Sequence, residues 1–309
     1  MAETGHALAL VRGVSWGPDG PLLSLTTDDG PSRLPLSAGL WLRFRVESGA
    51  DVVARYCLGY STVQGPVDSE HFPCPTGVAA ERGYQCGSCF ARDGFRFMHD
   101  FHRSGIAPAG LKAYMAQPHW LYVATFADGT TKVGTASQRS KWSRLAEQGA
   151  MTAQYVARAN NGSVVRVLED AVSKELGLTQ LVRGTAKFAS LLSPRPEAQL
   201  QSGNQAGAAV VRDFLHTLTL DGFSTCTETW ERSAYANAVA STGQRIAYPQ
   251  PLDSGGHGMR LHSMIGGYAL VTVDNAEAAF LADLSALKGH KISFGAYTTA
   301  IPALQESLF

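Results

Sequence analysis

Residues 120–135 read Trp120-Leu-Tyr-Val-Ala-Thr-Phe-Ala-Asp-Gly-Thr-Thr-Lys-Val-Gly-Thr135. Trp120 to Phe126 is an aromatic and β-branched run, Asp128-Gly129 is a hairpin turn, and Thr131 to Thr135 is a second short strand. Ser137 is placed to cap a helix through about Gln148, which Gly149 closes. Ala153 to Ala159 gives a third strand and Asn160-Asn161-Gly162 a turn. Ser163 then caps a helix running to Leu176, with Gly177 as its stop. The order β-β-α-β-α within sixty residues predicts a small α+β unit, bounded at residues 118–187.

Upstream of that unit, four of the five cysteines fall between Cys57 and Cys89. Cys86-Gly87-Ser88-Cys89 is a knuckle that sets two sulfurs on one side of a tight turn, and Cys57 and Cys74 can complete the tetrahedron that zinc accepts. Sixteen residues separate Cys57 from Cys74, so each is expected to come from its own turn, in a distorted zinc-ribbon-like segment spanning residues 51–117. Three other arrangements compete with four-cysteine zinc. Disulfides need an oxidising compartment, yet Met1 is followed by no basic start and no apolar core of a signal peptide. A redox Cys-x-x-Cys needs a strand-to-helix setting that the surrounding glycines and prolines do not offer. A mixed site would replace one cysteine by His71, His99 or His102, the last two spaced as a helical pair.

The remaining sequence frames these two parts. Ala7 to Val14, Leu22 to Leu25 and Leu40 to Val46 read as strands of an N-terminal β-rich part, residues 1–50. Residues 188–258 read as helix and loop: Gln205 to Thr217 is amphipathic, Ser190 to Gly203 is rich in Ser, Pro and Gln, and Gly255-Gly256-His257-Gly258 resembles a flexible loop. Residues 259–309 return to β character at Leu261 to Ile265, Gly267 to Val273, Phe280 to Leu287 and Lys291 to Phe294. Both ends of the chain are expected to meet in one discontinuous β-rich domain. The fifth cysteine, Cys226, has no nearby base and reads as a packed small residue.

At 309 residues, 45% apolar and 17% charged, the chain is long enough for two or three domains, and its longest apolar runs are too short to cross a bilayer. The expectation is a soluble, cytoplasmic protein with no membrane partner. Formal net charge is zero, which excludes bulk electrostatic coating of nucleic acid. Charge is instead local, with six cations (Lys132, Arg139, Lys141, Arg144, Arg158, Arg166) against Glu147 alone between residues 132 and 166.

Tyr122, followed ten residues later by Lys132-Val133-Gly134, then by Arg144 on one helix and Glu169 on the next, resembles the GIY-YIG endonuclease superfamily in its Lys-Ile-Gly branch. The resemblance covers about a fifth of the chain. It implies a three-stranded antiparallel sheet, a nucleic-acid substrate and a hydrolase. It assigns Tyr122 to orient or deprotonate water, Lys132 and Gly134 to the second motif, and Arg144, or Arg139 in its place, to the scissile phosphate. Glu169 takes the position that holds a catalytic Mg²⁺ or Mn²⁺. The first motif's glycine falls at Leu121 or Trp120. The whole chain is also similar to an uncharacterised bacterial family that couples a four-cysteine zinc segment to such a domain, through Arg55-Tyr56-Cys57, Pro73-Cys74-Pro75, Glu147-Gln148-Gly149-Ala150 and Ile265-Gly266-Gly267-Tyr268. Three functions stay open: a zinc-stabilised, divalent-metal-dependent nuclease, a non-catalytic DNA- or RNA-binding module, and a small-molecule enzyme using the same pocket.

Overall fold

The computed structural model describes residues 8–48, 55–98, 100–274 and 278–301, so His99 lies outside the described residues. The chain opens with β1 (Leu8–Gly17), β2 (Gly20–Thr27), β3 (Gly30–Pro35) and β4 (Trp41–Val46). The cysteine segment follows with the hairpin β5 (Tyr60–Val63) and β6 (Ser69–Phe72), then α1 (Gly87–Arg92), α2 (Phe101–Ser104) and α3 (Ala109–Met115). Next come β7 (His119–Thr125), β8 (Thr131–Ser137), α4 (Lys141–Gln148), β9 (Thr152–Ala159) and α5 (Gly162–Leu176). The rest comprises α6 (Gly184–Leu191), α7 (Glu197–His216), β10 (Phe223–Trp230), α8 (Asn237–Ala240), β11 (Ile246–Ala247), β12 (Gly256–Ile265), β13 (Tyr268–Val273), β14 (Phe280–Asp283) and β15 (Lys291–Phe294).

Strands from the two ends of the chain form one nine-stranded sheet, in the order β11-β14-β13-β12-β4-β15-β1-β2-β3. A four-stranded antiparallel sheet, β10-β9-β7-β8, stands against it. Alternation along β7 explains the contact. Trp120, Tyr122 and Ala124 join the core shared with Val11, Phe44 and Leu261 of the large sheet, while Leu121 and Val123 turn to the opposite core under α5 and α7. A strand covered on both faces reads as a continuous apolar run, as residues 120–124 do. The α4 terminus and the β12–β13 turn meet at Gly149 and Gly266, both at positive φ. A Cβ on Gly266 would sit 3.0 Å from Gly149 backbone, so these two glycines set how closely the layers approach.

Several local expectations change. Asn161, and not Ser163, caps α5, its Oδ1 accepting from the Ser163 and Val164 amides at 3.0 and 2.9 Å. Ser137 ends β8, and α4 begins after Ser140. Of the stretch from Ser190 to Gly203 forecast as loop, residues 192–196 stay outside helix, but residues 197–203 begin α7, because Leu200, Asn204, Ala208, Val211 and Leu215 make one buried stripe at helical spacing. The glycine-rich stretch at 255–258 leads into β12, where His257 is buried 5.0 Å from the Phe44 ring. β14 stops at Asp283, whose carboxylate accepts from the Ser285 amide at 3.0 Å and turns the chain before Leu287. β10 pairs with β9, so the small sheet draws a strand from the segment forecast as helix and loop.

Candidate functional site

The cysteines come first. Their Sγ atoms all lie within 4.8 Å of one another. Tetrahedral zinc with bonds of about 2.3 Å sets sulfurs about 3.8 Å apart, so the four are close enough to hold such an ion. Backbone amides of Gly59 and Cys86 donate to the Cys57 sulfur at 3.4 and 3.1 Å, and the Cys89 amide to the Cys86 sulfur at 3.5 Å, which favours thiolates. Burial raises the Cys57 and Cys89 thiols. At Cys74 burial also opposes ionisation, but hydrogen bonds with Thr76, Cys57 and Val78 together outweigh it and bring the thiol to about 6. Neither described histidine takes a cysteine's place. His71 pairs with Ser61 Oγ at 3.4 Å, and His102 with Asp170 at 3.2 Å. The Asp170 contact, shared with Arg103 at 2.9 Å, ties α2 of the cysteine segment to α5.

The second site is a hollow of about 410 Å³ beside the edge strand β8, lined by Tyr122, Lys132, Arg144, Arg166, Glu169 and Lys187. Tyr122 and Gly134 are register partners on adjacent strands, and the phenol lies flat across the glycine. A Cβ at 134 would come within 2.5 Å of the Tyr122 oxygen. We expect Gly134→Ala to displace the ring at a cost of about 1–3 kcal/mol, read as a lower melting temperature and altered tyrosine absorbance. The Gln148 amide donates to the phenol oxygen at 2.8 Å. The ring is fully buried, and burial pushes the phenol above its ordinary range despite Arg144 nearby. The phenolate needed to take a proton from water is therefore disfavoured, and Tyr122 serves as the floor of the hollow.

Around that floor, Lys132 Nζ donates to the Gln180 carbonyl at 3.2 Å and Lys187 Nζ to the Gln148 carbonyl at 2.9 Å. Burial lowers both lysines to about 8, helped at Lys132 by Arg144 and Arg166 and at Lys187 by Lys132 and Arg144. Glu169 is 4% exposed, and one of its oxygens lies 2.5 Å from Arg166, one helical turn earlier. Four cations thus face one carboxylate, an excess of three positive charges. Among the described residues, none of Lys132, Arg144 and Lys187 has a carboxylate within ion-pair distance.

This hollow does not fit a divalent cation. A Mg²⁺ about 6 Å from a single cation is repelled by roughly 5 kcal/mol at an effective dielectric of 20, and four cations face it. The one carboxylate is already held by Arg166. A phosphate oxygen in the same place is attracted by all four. Among the sequence candidates, Tyr122, Lys132, Arg144 and Glu169 converge here, and Arg139 does not. It lines a separate groove of about 710 Å³ with Trp16, Trp142 and Trp230, and donates to Ser69 Oγ at 3.2 Å. Arg166 and Lys187 escaped selection. Arg166 had a signal, since it stands three residues before Glu169 on one helix. Lys187 had none, because only the return of α6 brings it close.

Fold and sites together define a mixed α+β protein with a four-cysteine cluster able to hold a metal ion and a cationic hollow on its smaller sheet. A family model described as a protein of unknown function (DUF2797) matches residues 105–183, about a quarter of the chain. That segment contains Tyr122, Lys132, Arg144, Arg166 and Glu169 and ends before Lys187. Comparison with the curated proteins and with the solved structures gives no match. No described helix is long and apolar enough to cross a membrane.

Proposed function

We propose that the hollow receives a phosphate group of DNA or RNA, and that the chain is a zinc-stabilised phosphodiester-processing enzyme of nuclease type on a GIY-YIG-like β-β-α-β-α unit. One observation carries the reading: Tyr122, Lys132, Arg144 and Glu169, spread over nearly fifty residues, line one hollow. Cleavage of a phosphodiester builds negative charge on the nonbridging oxygens, and fixed guanidinium and ammonium groups stabilise that charge more than the ground state. Arg144 and Arg166 offer planar forks and Lys132 a point charge. Glu169 holds Arg166 in place. The Mg²⁺ or Mn²⁺ implied by the superfamily has no preformed seat, so no step is assigned to it.

The burial of Tyr122 favours a second reading, a non-catalytic nucleic-acid-binding module, because the residue expected to activate water is sealed from it. A panel of single- and double-stranded DNA and RNA, incubated with the zinc-loaded protein with and without added Mg²⁺ or Mn²⁺, separates the two. Cleavage that drops by about 100-fold or more in Arg144→Ala, and is unchanged in the exposed-residue control Lys174→Ala, supports the enzyme. Salt-sensitive binding without turnover in any lane supports the binding module. Neither cleavage nor binding at low salt removes both.

A further inference from the structure

We infer that Lys187 completes a four-cation phosphate cradle that binds its anion without any divalent cation, in place of the metal that the superfamily resemblance implies. The inference rests on the reading of the hollow as a phosphate site and goes beyond it in naming the ligand set and the absence of a metal requirement. Lys187 belongs to α6, which follows the last helix of the β-β-α-β-α succession, and lies beyond residues 105–183, and neither the resemblance nor the family match assigns it a role.

Three observations place it. Its Nζ is fixed at both ends of its reach, 2.9 Å from the Gln148 carbonyl and 4.4 Å over the Phe126 ring. Gln148 also donates to Tyr122, so Lys187 and the floor of the hollow are held by the same residue. Lys187 lines the same hollow as Lys132, Arg144 and Arg166, close enough for the charges of Lys132 and Arg144 to act on it. A protein stabilised only for its own sake would not bury one lysine and half-bury a second beside two arginines with one carboxylate among them. An incoming anion supplies the missing charge. With three positive charges in excess, the fitting ligand carries more than one negative charge, as consecutive phosphodiesters or a terminal phosphate do.

The test is fluorescence anisotropy of fluorescein-labelled single-stranded and duplex DNA at low salt. The zinc-loaded protein is used in buffer freed of other divalent ions by chelating resin before the protein is added, and zinc content is verified afterwards. Affinity is expected to stay within about twofold when Mg²⁺ is restored. Lys187→Met is expected to weaken binding by about tenfold and to flatten the salt dependence, while Lys187→Arg retains both. Thermal melting of Lys187→Met, expected at or above the parent value, shows that the loss is not unfolding. Binding that requires Mg²⁺, or Lys187→Met with parental affinity, overturns the inference. Cleavage is read separately. Metal-free binding without turnover leaves this inference standing and removes the enzyme, whereas cleavage with Mg²⁺-dependent binding does the reverse. No binding in either buffer removes the cradle and the phosphate reading together.

Discussion

If the four-cysteine site holds zinc, stripping that metal is expected to unfold the segment from Tyr56 to about Met98 while the two larger sheets persist. The buried apolar cluster of that segment consists of Cys57, Cys86 and Cys89, with Tyr60 and Cys74 packed against them. Among the described residues that cluster holds no aliphatic side chain, and Leu58 and Val63 are the buried aliphatics of the segment, so metal–thiolate bonds would take the place of most of a core. Structural zinc sites contribute about 10–16 kcal/mol of apparent binding free energy near neutral pH, more than a hairpin of four-residue strands and a six-residue helix retain alone. Loading such a site releases thiol protons, because burial keeps Cys57 and Cys89 protonated in its absence. Metal analysis is expected to give one zinc per chain, and Cys89→Ser to lose it. Limited proteolysis then cuts between residues 57 and 98 in the variant and spares the parent. Equal protection of both proteins would show that the cysteines pack without a metal.

Glu169→Ala is expected to cost about 3–5 kcal/mol of stability, the usual penalty for removing one partner of a buried ion pair. Arg166 loses its partner, and Lys132, Arg144 and Lys187 lose the one carboxylate that faces them. Glu169→Gln keeps the shape and isolates the charge, which makes it the better variant for activity assays. The pH dependence has a definite sign. Lys132 and Lys187 titrate near 8 in the folded protein and near 10.4 when unfolded. Between those values the unfolded chain binds more protons, so stability rises with pH from about 8 to about 10.4. Below pH 8 both lysines are charged in either state and their cost is fully present, of order 3 kcal/mol each at 1.36 kcal/mol per unit. Lys187→Met removes one such cost. Its gain over the parent, followed by denaturant unfolding, is expected to be largest below pH 8 and to shrink above it. A gain independent of pH would show that Lys187 is not strained in the fold.

Much of the architecture is legible in the chain because it depends on near neighbours. The hairpin at Asp128-Gly129, the stop glycines at 149 and 177 and the strand run read at 120–126 are local features, and the structure keeps them, with the strand set one residue earlier at His119–Thr125. The cysteine knuckle is local too, and its cluster forms as four sulfurs. The errors share a cause. Gly255 to Gly258 reads as loop until Phe44 covers His257, and the Ser/Gln-rich start of α7 reads as coil until β7 buries its stripe. Composition reports solvent preference, and tertiary cover overrides it. The resemblance put Arg144 first and kept Arg139 as its alternative, and the structure has Arg144 facing the hollow and Arg139 facing the tryptophan groove.

Periodicity and residue type within short spans were enough to specify the small α+β unit and the four thiols, and the superfamily resemblance named four side chains at the hollow. Long-range packing had to supply the rest: the engagement of Glu169 by Arg166, the return of Lys187 on α6 to the same space, and the glycine pair 149 and 266 that lets the two sheets close on each other. The division follows from electrostatics, because charge excess is a property of a volume, and which groups share a volume is set by how distant segments pack.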